Sequence, residues 1–439
     1  MPNAYHMSLT TTETLTDNIT ARLREAVDRD PSAVRKGALE YFLKSGLPGS
    51  KHEEYKHTPI TRELQKNFSF IAAPVSPLPV EISEFGIPAL EAYVLVFIDG
   101  IFSKTQSNLP SSGLRVMELS AAIVNDAVAQ EHFARYNPGQ SDPLSAWNAA
   151  GWNHGVFVHV PANTAVARPV IMHYVNTGAS AETVSILRNL VVVGRGSELT
   201  IIEKFDSAAG VTNHFSNHVT EVVVDENAGF NLFTIQNDSG NRYQFSHTEI
   251  YQRNASRVNT YTFTLNGKFV RNNLHLVLDG EGIESHMYGL YLLEGTTLAD
   301  NHTVVDHRKP NSFSNELYKG IMAGSSKGVF NGKIYVRPHA QKTNAFQANR
   351  NILLTDKAAV NTKPQLEIWA DDVKCSHGCT SGQLDEEAVF YLRSRGIHQE
   401  TARAMMLYAF AGEVLDQVKS PVLHKYLDGI ISERLHKNF

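Results

Sequence analysis

The sequence predicts a mainly β protein with helical segments at both ends. From about residue 92 the apolar residues recur with a period of two, which is typical of strands. Many short strand-like segments then follow one another, separated by turn residues and uninterrupted by crossover helices. This pattern indicates a sandwich, a barrel or a solenoid. No strict sequence repeat separates the three.

The N-terminal part predicts two helices, over residues 16–27 and 32–45, because apolar residues recur there at helical spacing. Asp17 and Ser32 are the candidate N-caps. Gly46, followed closely by a proline, is predicted to end the second helix.

The central part predicts strands that are apolar on one face and polar on the other, as in residues 257–265. That alternation suits one buried and one exposed face. Residues 116–133 are expected to form a helical insertion, followed by a polar loop that reaches Asp142.

Residues 365–397, QLEIWADDVKCSHGCTSGQLDEEAVFYLRSRGI, join the strands to a helical tail. They contain both cysteines, Cys375 and Cys379, with His377 between them. If residues 374–380 are extended, these three side chains project from one face. Thiolates and imidazole are ligands for zinc or iron, so the face could hold a metal with a fourth ligand from elsewhere. The alternative is a turn at a domain junction with a buried small Cys and a capping His.

The segment ADDVKCSHGCTSGQLDEEAVFYLRSRGI resembles the signature of the SufB/SufD family, and it is more similar to the SufD branch. Further similarity lies in DNHTVVDH at 300–307 and in NELYKGIMAGSSKGVFNGKIYVRPHAQKTNAFQANRNILL at 315–354. GLPGSKHEEYKHTP at 46–59 matches weakly, since relatives usually carry Trp-Lys-Tyr where this chain has Tyr55, Lys56 and His57. Proteins of this family are scaffold subunits of the SUF machinery, which assembles iron–sulfur clusters.

The resemblance implies a right-handed parallel β-helix between helical ends. It divides the chain into an N-terminal helical domain (1–72), a linker rich in Pro and Ser (73–90), a β-helix core (91–370) and a C-terminal helical domain (371–439). It also implies two partners, a SufB-like subunit paired through the β-helix and a SufC-like ATPase. A homodimer in the absence of the SufB-like subunit stays open.

The site residues implied by the resemblance are Cys375 and His377, which match the family's C-S-H-G motif. In the family this position lies near the subunit interface, where iron or a nascent cluster is thought to be held. Cys379 departs from the pattern, because relatives commonly have Ala there. SufB-branch proteins carry an additional cysteine in the strand where this chain has Asn349. Two cysteines cannot supply the usual four-thiolate set, so the ligands are expected to come largely from a partner.

The tail predicts three helices, the first capped by Asp385, the second over residues 398–418 and the third from Pro421. The second has a wide apolar face, which predicts either a hairpin packed on itself or a docking surface. The resemblance assigns this domain to ATPase docking. The residues predicted to contact the ATPase are Met405, Met406, Ala409, Phe410 and Val414.

Composition excludes several classes of protein. The chain has 439 residues with 42% hydrophobic and 19% charged content, which is sufficient for a folded core. The net charge of −5 without a basic run argues against nucleic acid as a partner. Two cysteines fit a reducing cytosol. Neither a signal peptide nor an apolar run that could span a membrane is visible, so a cytoplasmic location is predicted.

Other candidate chemistry is weaker. Asp300, His302, Asp306 and His307 offer ligand or acid/base groups, although a His on a strand is more often simply hydrogen-bonded. The alternative function is therefore a stand-alone β-helix enzyme acting on polysaccharide through Asp300, Asp306 and His307. No phosphate-loop or nucleophile-elbow motif is present, so no catalytic set is assigned. The family also leaves a role in binding reduced flavin open, for which the sequence shows no motif.

Overall fold

The computed structural model describes residues 14–68, 80–110, 112–178, 182–208, 211, 213–238 and 241–437. In this part of the chain the helices are α1 (Leu15–Arg29), α2 (Ala33–Ser45), α3 (Ile60–Asn67), α4 (Leu119–Asn125), α5 (Ala127–His132), α6 (Pro143–Gly151), α7 (Glu386–Ser394), α8 (Gln399–Leu415) and α9 (Pro421–Lys437). The strands are β1 (Tyr93–Ile98), β2 (Ile101–Asn108), β3 (Arg115–Glu118), β4 (Val156–Val160), β5 (Val170–Asn176), β6 (Glu182–Val193), β7 (Glu198–Ser207), β8 (Asn213–Val224), β9 (Gly229–Gln236), β10 (Arg242–Gln252), β11 (Arg257–Thr264), β12 (Phe269–Leu278), β13 (Glu284–Leu293), β14 (Leu298–His307), β15 (Phe313–Met322), β16 (Lys327–Val336), β17 (Thr343–Leu353), β18 (Ala359–Ile368) and β19 (Val373–Gly382).

The strands form two sheets that face each other. Sheet A has the order β19-β17-β15-β13-β11-β9-β7-β5-β1-β2, and sheet B has the order β18-β16-β14-β12-β10-β8-β6-β4-β3. From β4 onward the chain alternates between the sheets, and each strand lies parallel to the strand one turn earlier. This is a parallel β-solenoid, which confirms the mainly β prediction and selects the solenoid over the sandwich and the barrel.

The interior of the solenoid is filled by alternate residues of both sheets. On β12 the even-numbered Leu274, Leu276 and Leu278 point inward, and on β15 Tyr318 and Met322 do. Because the register is kept from turn to turn, the inward-facing residues of successive strands stack into columns along the axis, as Leu276 of β12 does beside Val305 of β14. The opposite face of each sheet points outward.

The N-terminal helices and α6 cover the outer face of sheet B, where Leu23, Phe42 and Trp147 pack against strand residues such as Phe215 and Phe269. The helix prediction is confirmed for α1 and α2. The Asp17 cap is wrong: Thr14 is the N-cap, and the Asp17 carboxylate accepts a hydrogen bond from the Thr14 backbone N–H in a capping box.

The predicted helical insertion over residues 116–133 is present from Leu119 onward as α4 and α5, but residues 116–118 belong to β3, and α6 was not predicted. Its start carries a recognisable signal, since Asp142 accepts hydrogen bonds from the backbone N–H groups of Leu144 and Ser145, and Pro143 occupies the first helical position. The insertion is held to sheet B by Glu221, whose carboxylate lies 2.7 Å from Arg188 Nη2 and accepts three backbone N–H groups. Neither partner of this ion pair is exposed.

The C-terminal helices cover the outer face of sheet A, where Leu407, Val414 and Leu427 pack against strand residues such as Tyr261 and Leu290. Asp385 caps α7 as predicted, accepting hydrogen bonds from the backbone N–H groups of Glu387 and Ala388. The two helical regions therefore cover opposite faces of the solenoid.

The two ends of the solenoid differ. At the N-terminal end an Asp99–Gly100 turn, with φ of 49° and 83°, folds β2 back as an antiparallel strand beside β1. At the C-terminal end β18 and β19 are the last strands of their sheets. Most of β19 is exposed.

The four-part domain division stays a prediction, and the solenoid strands continue to Gly382, beyond residue 370. Of the predicted linker, residues 73–79 lie outside the described residues, as do residues 1–13, where no signal peptide was predicted. Among the described helices, none has the length and apolar character needed to cross a membrane.

Candidate functional site

The predicted cysteine–histidine segment forms β19, the final edge strand of sheet A. It is paired with β17 in parallel, and the register places Cys375 beside Ala345, His377 beside Gln347 and Cys379 beside Asn349. The extended conformation expected for residues 374–380 is confirmed, so the three side chains share one face. By the register, this face continues the interior columns of the solenoid.

The three side chains differ in exposure. Cys375 is half-buried against the interior core, and burial raises the pKa of its thiol. His377 and Cys379 are exposed. The Cys379 thiol lies 2.8 Å from Thr362 Oγ1 on β18, the interior-facing hydroxyl of the opposite sheet. The open end of the solenoid thus presents an imidazole and a thiol.

These three groups do not form a closed ligand set on their own. Within the described residues, the one group of three His, Cys, Asp or Glu side chains close enough for a single ion lies elsewhere. An ion or cluster at β19 would therefore need ligands from another molecule.

Beneath β19 the interior columns are polar. Glu316 on β15 accepts a hydrogen bond from Gln347 Nε2 at 2.7 Å, and Asn349 Nδ2 lies 3.1 Å from the hydroxyl of Tyr291. Burial raises the pKa of Glu316 to about 7, although hydrogen bonds from Thr303 and Gln347 oppose the shift. A line of polar groups therefore runs inward from the open end.

Large apolar side chains are exposed at the same end. Phe346 on β17, Ile368 on β18 and Trp369 are 37%, 39% and 48% exposed. Open sheet edges with exposed apolar residues favour pairing with another chain.

The predicted ATPase-docking residues on α8 divide by exposure. Met405 and Ala409 are exposed, Met406 and Phe410 are half-buried against the outer face of sheet A, and Val414 is buried in the chain's own core. The Phe410 ring lies 4.2 Å beneath Lys319 Nζ. Sequence reasoning missed Phe390 and Tyr391 on the neighbouring α7, which are 70% and 58% exposed. Helix α7 is short, and its apolar residues lie between polar ones at both ends, so their spacing did not mark this pair as exposed.

The residues of the polysaccharide alternative are not gathered into one site. Asp300 and Asp306 lie on the outer face of sheet B, whereas His307 points into the interior, where its Nε2 lies 2.9 Å from Ser314 Oγ. Asp300 is fully buried and paired with Arg271 at 2.6 Å. Asp306 is held by Arg308 and Arg337 at 2.8 and 2.7 Å. Burial lowers the pKa of His307 to about 4.

Comparison with known proteins gives a consistent result. Residues 174–410 match the core domain of the SufBD proteins, described as SUF system FeS cluster assembly, and residues 13–172 match the SufBD N-terminal region. The chain is 35% identical to an iron–sulfur cluster assembly SufBD family protein of Synechocystis, over 91% of this chain and 90% of that protein. It is 31% identical to the iron–sulfur cluster assembly protein SufD of Escherichia coli, over 94% of both chains. The chain belongs to the SufBD family of the SUF iron–sulfur cluster assembly system.

Proposed function

We propose that this chain is a non-catalytic scaffold subunit for iron–sulfur cluster assembly that pairs with a SufB-like subunit and docks a SufC-like ATPase. The observation that carries the proposal is the position of His377. It is an exposed imidazole on β19, an edge strand that pairs with β17 on one side only, and it lies between two thiols and beside exposed apolar residues.

The pairing surface is the C-terminal end of the solenoid. The free edges of β18 and β19 offer backbone hydrogen-bonding groups that a second β-helix can extend. Exposed Phe346 and Trp369 supply apolar contact area beside them. A partner strand placed against β19 would bring its own ligands to within reach of His377.

A cluster or iron ion held there is cargo shared between the subunits. The chain contributes His377 and Cys375, and the partner contributes the remaining ligands, because two cysteines cannot complete a four-thiolate set. Cys379 is a further exposed thiol on the same face, already engaged with Thr362. We assign the chain to the cytosol, where such thiols stay reduced.

The second surface is the outward face of the C-terminal helices. Met405 on α8 is 46% exposed and sits above a small apolar hollow lined by Ala404, Tyr408 and Leu435. Methionine adapts its shape to a partner, which suits a docking site. ATP-driven closure of the docked subunits would act on the solenoid through these helices, since they pack along sheet A.

The test is the substitution His377→Ala in the full complex. We expect several-fold less iron and sulfide to be retained after anaerobic reconstitution, while the complex itself stays assembled. The matched control is His339→Ala, which removes an exposed imidazole from a turn between β16 and β17. Equal cluster content in both variants would remove the proposed role of His377.

A further inference from the structure

A groove on the outer face of sheet B contains a second set of metal-ligating side chains, remote from the cysteines. The groove encloses about 410 Å³. We call it the sheet B groove, and its lining includes His247, Glu249, His275, His302, Asp306 and Tyr335.

Three of these side chains converge on one point. His247 and Glu249 are two apart on β10 and so share a face, and the parallel register places His275 of β12 directly beside Glu249. His247 Nε2 lies 3.1 Å from Glu249 Oε2, and His275 Nδ1 lies 3.3 Å from the same oxygen. One ligand atom from each residue lies within 4.8 Å of the others.

This geometry fits a metal ion. With metal–nitrogen and metal–oxygen bonds of about 2.0 to 2.2 Å, neighbouring ligands of one ion lie roughly 3.0 to 3.4 Å apart. Two histidines and one carboxylate form a recurrent set for Zn²⁺ and for non-haem Fe²⁺, with open positions for water or another ligand.

The surroundings also suit an ion. His247 is only 3% exposed, and its other ring nitrogen, Nδ1, lies 3.4 Å from Ser145 Oγ on α6, an outer partner that orients the ring. His275 is 29% exposed, so the site opens into the groove on one side. An ion would thus have fixed ligands on the wall and free positions toward solvent.

The cationic side chains of the groove pair with carboxylates other than Glu249, so its carboxylate is available to bind a metal ion. Arg271 is held by Asp300 and Lys333 by Glu54 at 2.6 Å each, and Arg308 and Arg337 are held by Asp306. Among the described ion pairs, Glu249 is matched with the two histidines alone.

We infer that His247, Glu249 and His275 form a binding site for a divalent transition-metal ion, Fe²⁺ or Zn²⁺, distinct from the cysteine–histidine strand β19. The inference does not depend on the proposed function, because the site uses neither cysteine and lies on the outer face of the other sheet.

The test is anaerobic equilibrium dialysis of the untagged full chain against Fe²⁺ and, separately, Zn²⁺, with bound metal measured by mass spectrometry. The background carries Cys375→Ser, His377→Ala and Cys379→Ser, so that β19 contributes nothing. We expect about one equivalent of at least one metal to remain bound. In Co²⁺-loaded protein, the visible absorption of the ion reports its coordination.

The diagnostic variants are His275→Asn, at the exposed ligand, and Glu249→Gln, which keeps the shape and one hydrogen-bonding oxygen. Each is expected to weaken binding at least about 100-fold, because losing an outer partner alone costs 10–100-fold. The matched control is His286→Asn on β13, whose imidazole lies 2.8 Å from Glu284 and belongs to no group of three metal-ligating side chains within the described residues.

The metal is also expected to raise the melting temperature of the background and His286→Asn proteins, and not of His275→Asn or Glu249→Gln. Either of two results would overturn the site: no retained metal in the background protein, or equal affinity in His275→Asn, Glu249→Gln and His286→Asn.

Discussion

At the residue scale, the interior of the solenoid carries carboxyl groups whose ionisation opposes folding. Glu316 and Glu203 are buried among hydroxyl and amide groups, and burial raises the pKa of each to about 7. Neither has a cationic partner among the described ion pairs. Ionising these carboxyl groups therefore raises the free energy of the folded state, whereas in the unfolded chain water solvates the charge without this penalty.

The contribution of Glu316 to stability should consequently fall as the pH rises. The folded state keeps the Glu316 proton up to about pH 7, whereas the unfolded chain releases it near the usual value of 4.5. Between these values the folded state binds more protons, so the free energy of unfolding decreases with pH. Glu316→Gln removes this dependence and keeps the hydrogen bonding to Gln347. Relative to the wild type, we expect the variant to gain up to about 3 kcal/mol between pH 5 and pH 8.

Urea unfolding at the two pH values measures that gain. The control is Glu226→Gln in an exposed turn, which should show the same difference from the wild type at both. A constant difference for Glu316→Gln as well would mean that its carboxyl group is ionised in the fold.

At this scale, sequence reasoning is limited because it does not give the register between neighbouring strands. His377 stands between two cysteines in a local motif, so alternation alone places the three on one face. His247 and Glu249 are also two apart, but His275 joins them only through pairing between β10 and β12. The polar interior was unpredictable for the same reason, because Glu316 meets Gln347 one turn later.

At the element scale, helix signals were readable wherever the cap was local. Asp385 and Gly46 mark the ends of α7 and α2 as predicted. The α6 helix was missed because it is short and fully buried, so it lacks a polar face from which to read a helical period. The strands alternate clearly, yet nothing in one strand states which strand lies beside it.

The exposed residues of α8 are predicted to contact the ATPase. Met405→Asp places a charge on the outward face while Val414 and Leu407 still hold the helix on sheet A. We expect at least about tenfold weaker binding of the SufC-like ATPase, since a desolvated charge at an interface costs well over 1 kcal/mol.

Biolayer interferometry with the purified ATPase measures this loss. Val124→Asp is the matched control, since Val124 is 68% exposed on α4, away from the C-terminal helices. If both variants bind the ATPase as tightly as the wild type, the docking surface lies elsewhere, and the exposed Phe390 and Tyr391 on α7 become the next residues to test.

At the scale of the whole molecule, the helices that cover the two sheets determine which surfaces of the solenoid are left open for partners. The N-terminal helices and α6 cover sheet B, and the C-terminal helices cover sheet A. At the N-terminal end β2 lies antiparallel to β1 and β3 lies antiparallel to β4. The C-terminal end is left with open strand edges, exposed aromatic residues and His377. The solenoid could be predicted only from the family resemblance. Its turns keep a common register, but they carry no repeated sequence motif that would reveal it.

The most direct test of the scaffold account is the mass of the complex formed when the full chain is co-expressed with its SufB-like and SufC-like partners. Light scattering coupled to size-exclusion chromatography should show all three proteins in one species, well above the 48.7 kDa of this chain. The Met405→Asp chain should keep the SufB-like subunit and lose the ATPase. A chain that elutes without either partner, as a monomer or as a homodimer, would contradict the account.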